Sequence, residues 1–228
     1  MTIEQAEVEA QKKAAAGRAL ELVRPGTVVG LGSGSTARYF IAGLGDRVRA
    51  GLKVRAVATS MESRRLAEEG RIPITERNDQ ALDLAVDGAD EIDPSVNCLK
   101  GRGGALLREK IVAVASRRFV LIADESKLVG RLGRGPVPIE VLPFFWEATS
   151  RAIESLGGRP QLRMASGRPF TTDNGNLILD TTFGAVDAQL GVAIHAIPGV
   201  LEHGLFFGIA RAAIVGSATG LRILGELA

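Results

Sequence analysis

The sequence predicts an α/β protein: a mostly parallel sheet flanked by helices, with a small α+β unit inserted late in the chain. Three observations carry that expectation. Short apolar strands alternate with helical segments from Thr2 to about Ala123. Glycine- or acid-rich loops follow several of those strands, at 32–36, 87–93 and 123–127. After about Gly130 the alternation gives way to a glycine- and proline-rich stretch and then to hairpin-type patterning.

Element by element, Thr2 opens a helix running to about Leu22, with Gln5 as its capping-box partner and Pro25-Gly26 as its stop. Thr27–Leu31 reads as a buried strand, 32–36 (GSGST) as a turn and Ala37–Leu44 as a helix. A second strand spans Lys53–Ala58, and a helix spans Met61–Glu69, closed by Gly70. Ile72–Ile74 is expected as a short strand and Leu82–Asp87 as a strand ending in an acidic loop. Ala105–Ser116 is helical and Phe119–Ala123 (FVLIA) is a strand. Gly133, Gly135, Pro136 and Pro138 form a linker. Beyond it the pattern predicts strand Val137–Leu142, helix Trp146–Leu156, strands Gln161–Met164 and Asn176–Leu179, and helix Gly184–Ile194. Asn174-Gly175 is a hairpin signal, because such turns need positive φ. Leu205–Ile209 and Ala212–Val215 are expected to return to the main sheet. The resulting division is 1–131 with 205–228 as the main domain and 132–204 as the inserted one.

Composition narrows the function classes. The 228 residues are 46% apolar and 24% charged, an ordinary globular balance long enough to bury a core. A net charge of +2 and 4% aromatic content argue against nucleic acid as a partner. No apolar run reaches the roughly 18 residues of a membrane span. Glu4, Glu7 and Glu9 are out of place in a signal or transit peptide. Cys98 is the only cysteine, so no intrachain disulfide forms, which fits a reducing cytoplasm. With only His195 and His203, both among apolar residues of the inserted segment, a His-ligated metal or a His-centred triad is not expected. Proton transfer then falls to carboxylates. Cys98 reads as inert packing, and Phe144, Phe145 and Trp146 as core or subunit contact.

Four loops carry chemistry. GLGSGST (30–36) leaves a strand and enters a helix, aiming N–H groups and the positive helix end at an anion. It lacks the Gly-Lys-Ser/Thr of a Walker A loop. The second strand ends in Thr59-Ser60, not in the acid that grips a dinucleotide's ribose. A monophosphate or sugar site remains, with Ser33, Ser35 and Thr36 as donors; a plain βα turn is the alternative. VDGADEID (86–93) places Asp87 and Asp90 at a strand end, open to acid–base work, sugar hydroxyls, Mg²⁺ or simple turn formation. KGRGGALLREK (100–110) joins Lys100 to a glycine turn and to Glu109 on a helix, where an Arg-Glu-Lys triplet by itself suggests a solvated face. ADESK (123–127) offers Lys127 either as a point charge for a phosphate or as a surface lysine.

In order and spacing, GLGSGST, VDGADEID, KGRGGALLREK, ADESK and TDNGN (172–176) resemble ribose-5-phosphate isomerase type A over essentially the whole chain. The resemblance implies a Rossmann-like domain with an inserted, ferredoxin-like lid. It implies a cytoplasmic homodimer or dimer of dimers with no cofactor and no metal, acting on a phosphorylated pentose. The implied reaction interconverts ribose 5-phosphate and ribulose 5-phosphate in the non-oxidative pentose phosphate branch. By the same resemblance the general base falls on Glu109. The substrate-binding turns fall on Ser33, Gly34, Ser35 and Thr36 and on Lys100, Gly101, Arg102 and Gly103. Asp87, Gly88, Ala89 and Asp90 match the segment for ring opening and sugar hydroxyls, and Lys127 a further substrate contact. Two residues depart from the family pattern: Ser33, where many members carry Thr, and Arg102, which replaces a glycine. An Arg102 in positive φ would be strained. The chemistry agrees: an aldose–ketose shift needs a base, an oxyanion site (Lys100) and help in opening the furanose. Rivals of similar architecture are sugar-phosphate sensor domains, hexosamine-phosphate deaminases and acyl-CoA transferases. A dinucleotide-dependent dehydrogenase is disfavoured by Thr59-Ser60.

Overall fold

The computed structural model describes residues 2–76 and 81–227. Helix α1 (Ile3–Leu20) starts at a capping box in which Thr2 and Gln5 satisfy each other's backbone N–H groups. It is followed by β1 (Val28–Leu31), α2 (Ala37–Arg49), β2 (Arg55–Ala58), α3 (Met61–Glu69) and β3 (Leu84–Asp87). Two short strands, β4 (Glu91–Ile92) and β5 (Cys98–Leu99), lead to α4 (Leu106–Ala115), β6 (Phe119–Asp124) and a single 3-10 turn at Glu125–Lys127. The next stretch holds β7 (Val137–Val141), α5 (Trp146–Ser155), β8 (Arg159–Leu162), β9 (Met164–Ala165), β10 (Arg168–Pro169), β11 (Leu177–Thr182), α6 (Ala188–His195) and β12 (Val200–His203). The chain closes with β13 (Leu205–Phe206), β14 (Ala212–Ser217) and β15 (Gly220–Gly225).

The main sheet has the order β15-β14-β6-β3-β1-β2 and is parallel except for β15. Its central strands are buried along their whole length, as a sheet covered on both faces requires. One face packs Ala15, Ala16 and Ala19 of α1 and Phe40, Ile41 and Leu44 of α2 against Val29, Leu31 and Val86. The other packs Val112 and Ala113 of α4 with Cys98 and Phe206 against Ala85, Leu121 and Val215. The strand order reverses between β1 and β3, so a crevice opens above their C-terminal ends. GSGST and DGAD are the loops that leave those two ends.

Strands β7, β8, β11 and β12 form an antiparallel sheet of order β12-β7-β11-β8, connected β-α-β-β-α-β through α5 and α6 in the ferredoxin-like manner. Its core gathers Val137, Ile139, Val141, Ile153, Leu179 and Ile194, and runs into Leu99 and Leu205. Those two residues belong to a third sheet, β13-β5-β4, which links the two larger ones.

Several elements differ from the sequence expectation. Leu205–Ile209 does not return to the main sheet; only Leu205–Phe206 is extended, paired with Leu99 and Cys98. Ile72–Ile74 makes a single bridge, Ala56 to Ile74. Helix α6 begins at Ala188 rather than Gly184, because the Asp187 carboxylate caps the Leu190 N–H. Strand β15 carries no signal in the sequence, since its Leu221 and Ile223 are both exposed and leave no buried alternation. Phe144 and Phe145 are exposed, at 87% and 65%, so neither is core, whereas Trp146 packs on the inserted core. Cys98 is fully buried, and burial pushes its thiol up to about 12, which fits inert packing.

The sheets meet at Gly204. Its N–H donates to the Pro138 carbonyl (2.8 Å), and its carbonyl accepts from the Lys100 N–H (2.8 Å). A Cβ there would sit 2.1 Å from the Lys100 carbonyl oxygen. Gly204→Ala should therefore lower unfolding free energy by about 2 kcal/mol or more in urea titration. A change below about 0.5 kcal/mol would show that the junction yields without strain.

Candidate active site

Three side chains at the crevice are almost wholly withdrawn from water: Asp87 (2% exposed), Lys100 (3%) and Glu109 (6%). The Lys100 ammonium lies 3.0 Å from Asp87 Oδ2 and 3.4 Å from Glu109 Oε1, and donates to the Gly88 carbonyl at 2.6 Å. Asp87 Oδ1 accepts the N–H groups of Ser33 (2.9 Å) and Gly88 (2.7 Å). Those bonds tie the loop after β1 to the loop after β3. The approach is so close that a Cβ on Gly32 would fall 2.2 Å from the Asp87 carboxyl carbon. Only glycine fits there.

One ammonium cannot neutralise two buried carboxylates. Burial raises the Asp87 carboxyl above its ordinary range, while Lys100 and its two N–H donors pull it back down. Glu109 has fewer donors, and its Oε2 is buried without a partner among the described residues. Burial, reinforced by the nearby Asp87 charge, raises Glu109 to about 8, with Lys100 pulling the other way. Burial alone would lower the Lys100 ammonium; Asp87 and Glu109 reverse that and raise it, so it stays charged. The site thus holds a permanent cation beside a carboxyl able to exchange a proton near neutral pH.

A cavity of about 120 Å³ opens above this triad. Ser33, Gly34, Ser35 and Thr36 line one end, with Lys127 at the rim. Gly88, Ala89, Asp90, Lys100, Gly101, Gly103 and Glu109 line the rest. Gly34 takes φ +94°, and α2 begins at Thr36 without a side-chain cap. The N–H groups of Gly34, Ser35 and Thr36 have no acceptor among the described residues. Free N–H groups at a helix start, with a nearby lysine lacking an ion-pair partner among the described residues, suit an anion.

Two of the sequence candidates do not line the cavity. Asp87 lies beneath it, bonded to Ser33, Gly88 and Lys100. Arg102 is half exposed, with its N–H on Asp90 Oδ2 (3.0 Å) and its guanidinium 4.0 Å from Asp90 Oδ1. The positive φ angles of its turn fall on Gly101 (+108°) and Gly104 (+80°), so Arg102 is not strained. Ser33 lines the cavity, but its hydroxyl lies in a cluster with Thr59 (2.8 Å), Ser60 (2.7 Å) and Ser63 (3.1 Å). Ser63 also donates to the Gly32 carbonyl at 2.6 Å. The second strand's Thr59-Ser60 end, legible only as a missing acid, is therefore a buttress for the loop.

The Arg108-Glu109-Lys110 triplet is not a solvated face. Successive helical residues point about 100° apart, and here each meets a different element. Arg108 donates to Asn174 Oδ1 (2.7 Å), and Lys110 to Glu202 Oε1 (2.7 Å) and the His203 carbonyl (2.7 Å). Glu109, between them, faces Lys100. His203 is buried, accepting the Leu205 N–H, whereas His195 is largely exposed.

The family model for ribose 5-phosphate isomerase A (phosphoriboisomerase A) matches residues 55–220. Ribose-5-phosphate isomerase A of Thermomicrobium roseum is 50% identical over 222 residues, 95% of this chain and 94% of the relative. The chain belongs to the ribose 5-phosphate isomerase A family. The fold of this isomerase is likewise similar to that of a solved D-ribose-5-phosphate isomerase in complex with phospho-erythronic acid, at TM-score 0.92 and 42% identity, covering 96% of this chain and 99% of the other. The Methanocaldococcus jannaschii ribose 5-phosphate isomerase A superposes equally well, at TM-score 0.92 and 39% identity over 96% of this chain and 99% of the other. The dehydrogenase, deaminase, transferase and sensor readings fall away with that membership.

The raised Glu109 carboxyl has a measurable consequence for the isomerase's stability. A carboxyl at about 8 in the folded state, against an ordinary 4.5, contributes stability below pH 4.5 that is lost as pH rises through 8. Relative to Glu109→Gln, the wild type should lose about 2 kcal/mol or more between pH 5 and pH 9 in urea unfolding. A pH-independent difference would show that Glu109 titrates normally.

Proposed function

We infer that this isomerase interconverts D-ribose 5-phosphate and D-ribulose 5-phosphate through an enediolate, with Glu109 as the base. The observation that carries this reading is the buried Glu109 carboxyl facing Lys100 across 3.4 Å at the floor of the cavity. The complex of a related enzyme with phospho-erythronic acid, a phosphorylated sugar acid, supports a phosphosugar as ligand.

In this reading the N–H groups of Gly34–Thr36 and the Lys127 ammonium hold the phosphate, whose binding energy positions the reacting carbons. Asp90, which lines the cavity, assists furanose opening and binds sugar hydroxyls. Ionised Glu109 removes the C2 proton of the open aldehyde. The C–H electron pair becomes the C1–C2 double bond, and the carbonyl pair moves onto O1. Lys100 stabilises that oxyanion. Protonated Glu109 then returns its proton to C1, the O2 proton is transferred to O1, and a C2 ketone remains. Asp87 does not touch the sugar; it keeps Lys100 charged and fixes the phosphate loop through the Ser33 N–H.

The inserted unit 132–204 serves as a lid that shields Glu109, since its residues Arg163 and Phe170 press on the 101–104 turn. The enzyme acts in the non-oxidative pentose phosphate branch as a cytoplasmic homodimer or dimer of dimers, for which exposed Phe144 and Phe145 provide apolar contact surface. No helix among the described residues is long and apolar enough to cross a membrane. No group of three or more His, Cys, Asp or Glu side chains converges there as metal ligands.

A coupled assay for ribulose 5-phosphate should show turnover unchanged by EDTA; absence of turnover would remove the reading, and EDTA inhibition would give Asp90 a metal role. Glu109→Gln should lower kcat by about 10²-fold or more while ribose 5-phosphate still binds. Near-normal kcat would sink the base assignment. Lys100→Ala should lose kcat more than affinity, because it acts on the enediolate; a pure KM effect would make Lys100 a ground-state binder.

A further inference from the structure

The turn carrying the reacting groups has little rigidity of its own. Gly101 and Gly104 take positive φ, and the N-cap of α4, Ala105, supplies no side-chain hydrogen bond. Lys100 nevertheless precedes this turn, and Glu109 lies in the first turn of the helix behind it. Beyond the Gly104 N–H on the Gly101 carbonyl (3.0 Å) and the Arg102 N–H on Asp90 Oδ2 (3.0 Å), a further restraint comes from the inserted sheet. Arg163, between β8 and β9, donates Nη1 to the carbonyls of Gly101 (2.9 Å) and Arg102 (3.0 Å). Its Nε bonds Asp180 Oδ2 on β11 at 2.8 Å, and Nη2 bonds Asp180 Oδ1. This two-pronged pair fixes the guanidinium plane, so the third nitrogen points one way only. Phe170 lies beneath the guanidinium, 5.7 Å from ring centre to Cζ, and fills the space over Gly104, where a Cβ would meet the ring at 2.5 Å.

We propose that Arg163, oriented by Asp180, is a positioning residue for isomerisation: it docks the inserted sheet on the 101–102 carbonyls and so holds Lys100 and Glu109 in register and out of water. The proposal rests on Glu109 being the base. Without Arg163 the Arg102 carbonyl loses its donor and the Gly101 carbonyl keeps only the Gly104 N–H, the glycine turn gains conformational freedom, and water reaches Glu109. The consequence is loss of both geometry and pKa tuning, since displacement of about 1 Å costs up to about 10²-fold in rate.

The test is steady-state kinetics from pH 6 to pH 10 on Arg163→Ala, Asp180→Asn and Arg163→Lys, with melting temperatures measured alongside. Arg163→Ala should lower kcat about 10-fold or more, with a smaller change in KM. Its acidic limb in kcat/KM should move to lower pH, because a hydrated Glu109 ionises more easily. Arg163→Lys should recover part of kcat, since an ammonium still donates to one carbonyl. Asp180→Asn, which preserves volume, should shift the limb in the same direction and carries the reading if Arg163→Ala does not fold. A wild-type kcat and an unmoved acidic limb in folded Arg163→Ala, even with a lowered melting temperature, would overturn the proposal. The base assignment fails separately: turnover by Glu109→Gln would refute it whatever the Arg163 variants do.

Discussion

One ammonium shared between two buried carboxylates is the constraint on which the rest of this structure depends. Lys100, Asp87 and Glu109 are each more than nine-tenths buried, and the Lys100 ammonium lies 3.0 Å from Asp87 and 3.4 Å from Glu109. Burying charge is costly unless it is paired and hydrogen-bonded. Here the pairing is short by one positive charge. The deficit does not fall evenly, because among the described residues Asp87 receives two backbone N–H donors and Glu109 none. The protein therefore keeps one carboxylate as a fixed anchor and leaves the other ready to take up a proton.

The surrounding fold follows from that arrangement. The strand order reverses between β1 and β3, which brings the GSGST and DGAD loops together. Asp87 ties them through the Ser33 N–H, and Gly32 allows the contact because a side chain would collide with the carboxylate. The same carboxylate that anchors the cation thus places the loop whose Gly34–Thr36 N–H groups have no acceptor among the described residues. The Ser33, Thr59, Ser60 and Ser63 hydroxyls brace the loop from behind, on the side where a dinucleotide enzyme would carry an acid.

The inserted sheet reaches the same triad from the opposite direction. Glu140 is fully buried and gathers Thr172, Asn174 and Asn176 onto its Oε1, which shapes the 172–176 turn that Arg108 grips. The Asn174-Gly175 signal marks this turn and no hairpin, because β10 pairs with β9 and β11 with β7 and β8. Arg163 and Phe170 close on the glycine turn. Helix α4 is therefore held on both sides of Glu109: Arg108 is bound to the 172–176 turn and Lys110 to β12. A helix with no cap of its own gains its orientation from tertiary contacts, as short helices generally do.

Local signals in the sequence were sufficient for the α/β alternation, the strand–loop–helix transitions and the family motifs, because buried apolar runs and glycine turns are encoded over a few neighbouring residues. They placed Glu109, Lys100, Asp90 and the 33–36 loop as candidates. They did not reveal the short strand Leu205–Phe206 or the exposed edge β15, whose patterns are too brief or too solvated to read. Nor did they separate the roles of the acids. Asp87 and Asp90 look alike in VDGADEID, but one lies beneath the cavity and the other lines it. Arg163, Asp180 and Glu140 carry no motif, since their meaning depends on partners 17 to 62 residues away, a distance across which only the folded chain brings a guanidinium to two carbonyls. Residue chemistry was legible from the chain alone; which carboxyl is left short of donors was decided by tertiary structure, because burial and pairing are properties of the assembled site.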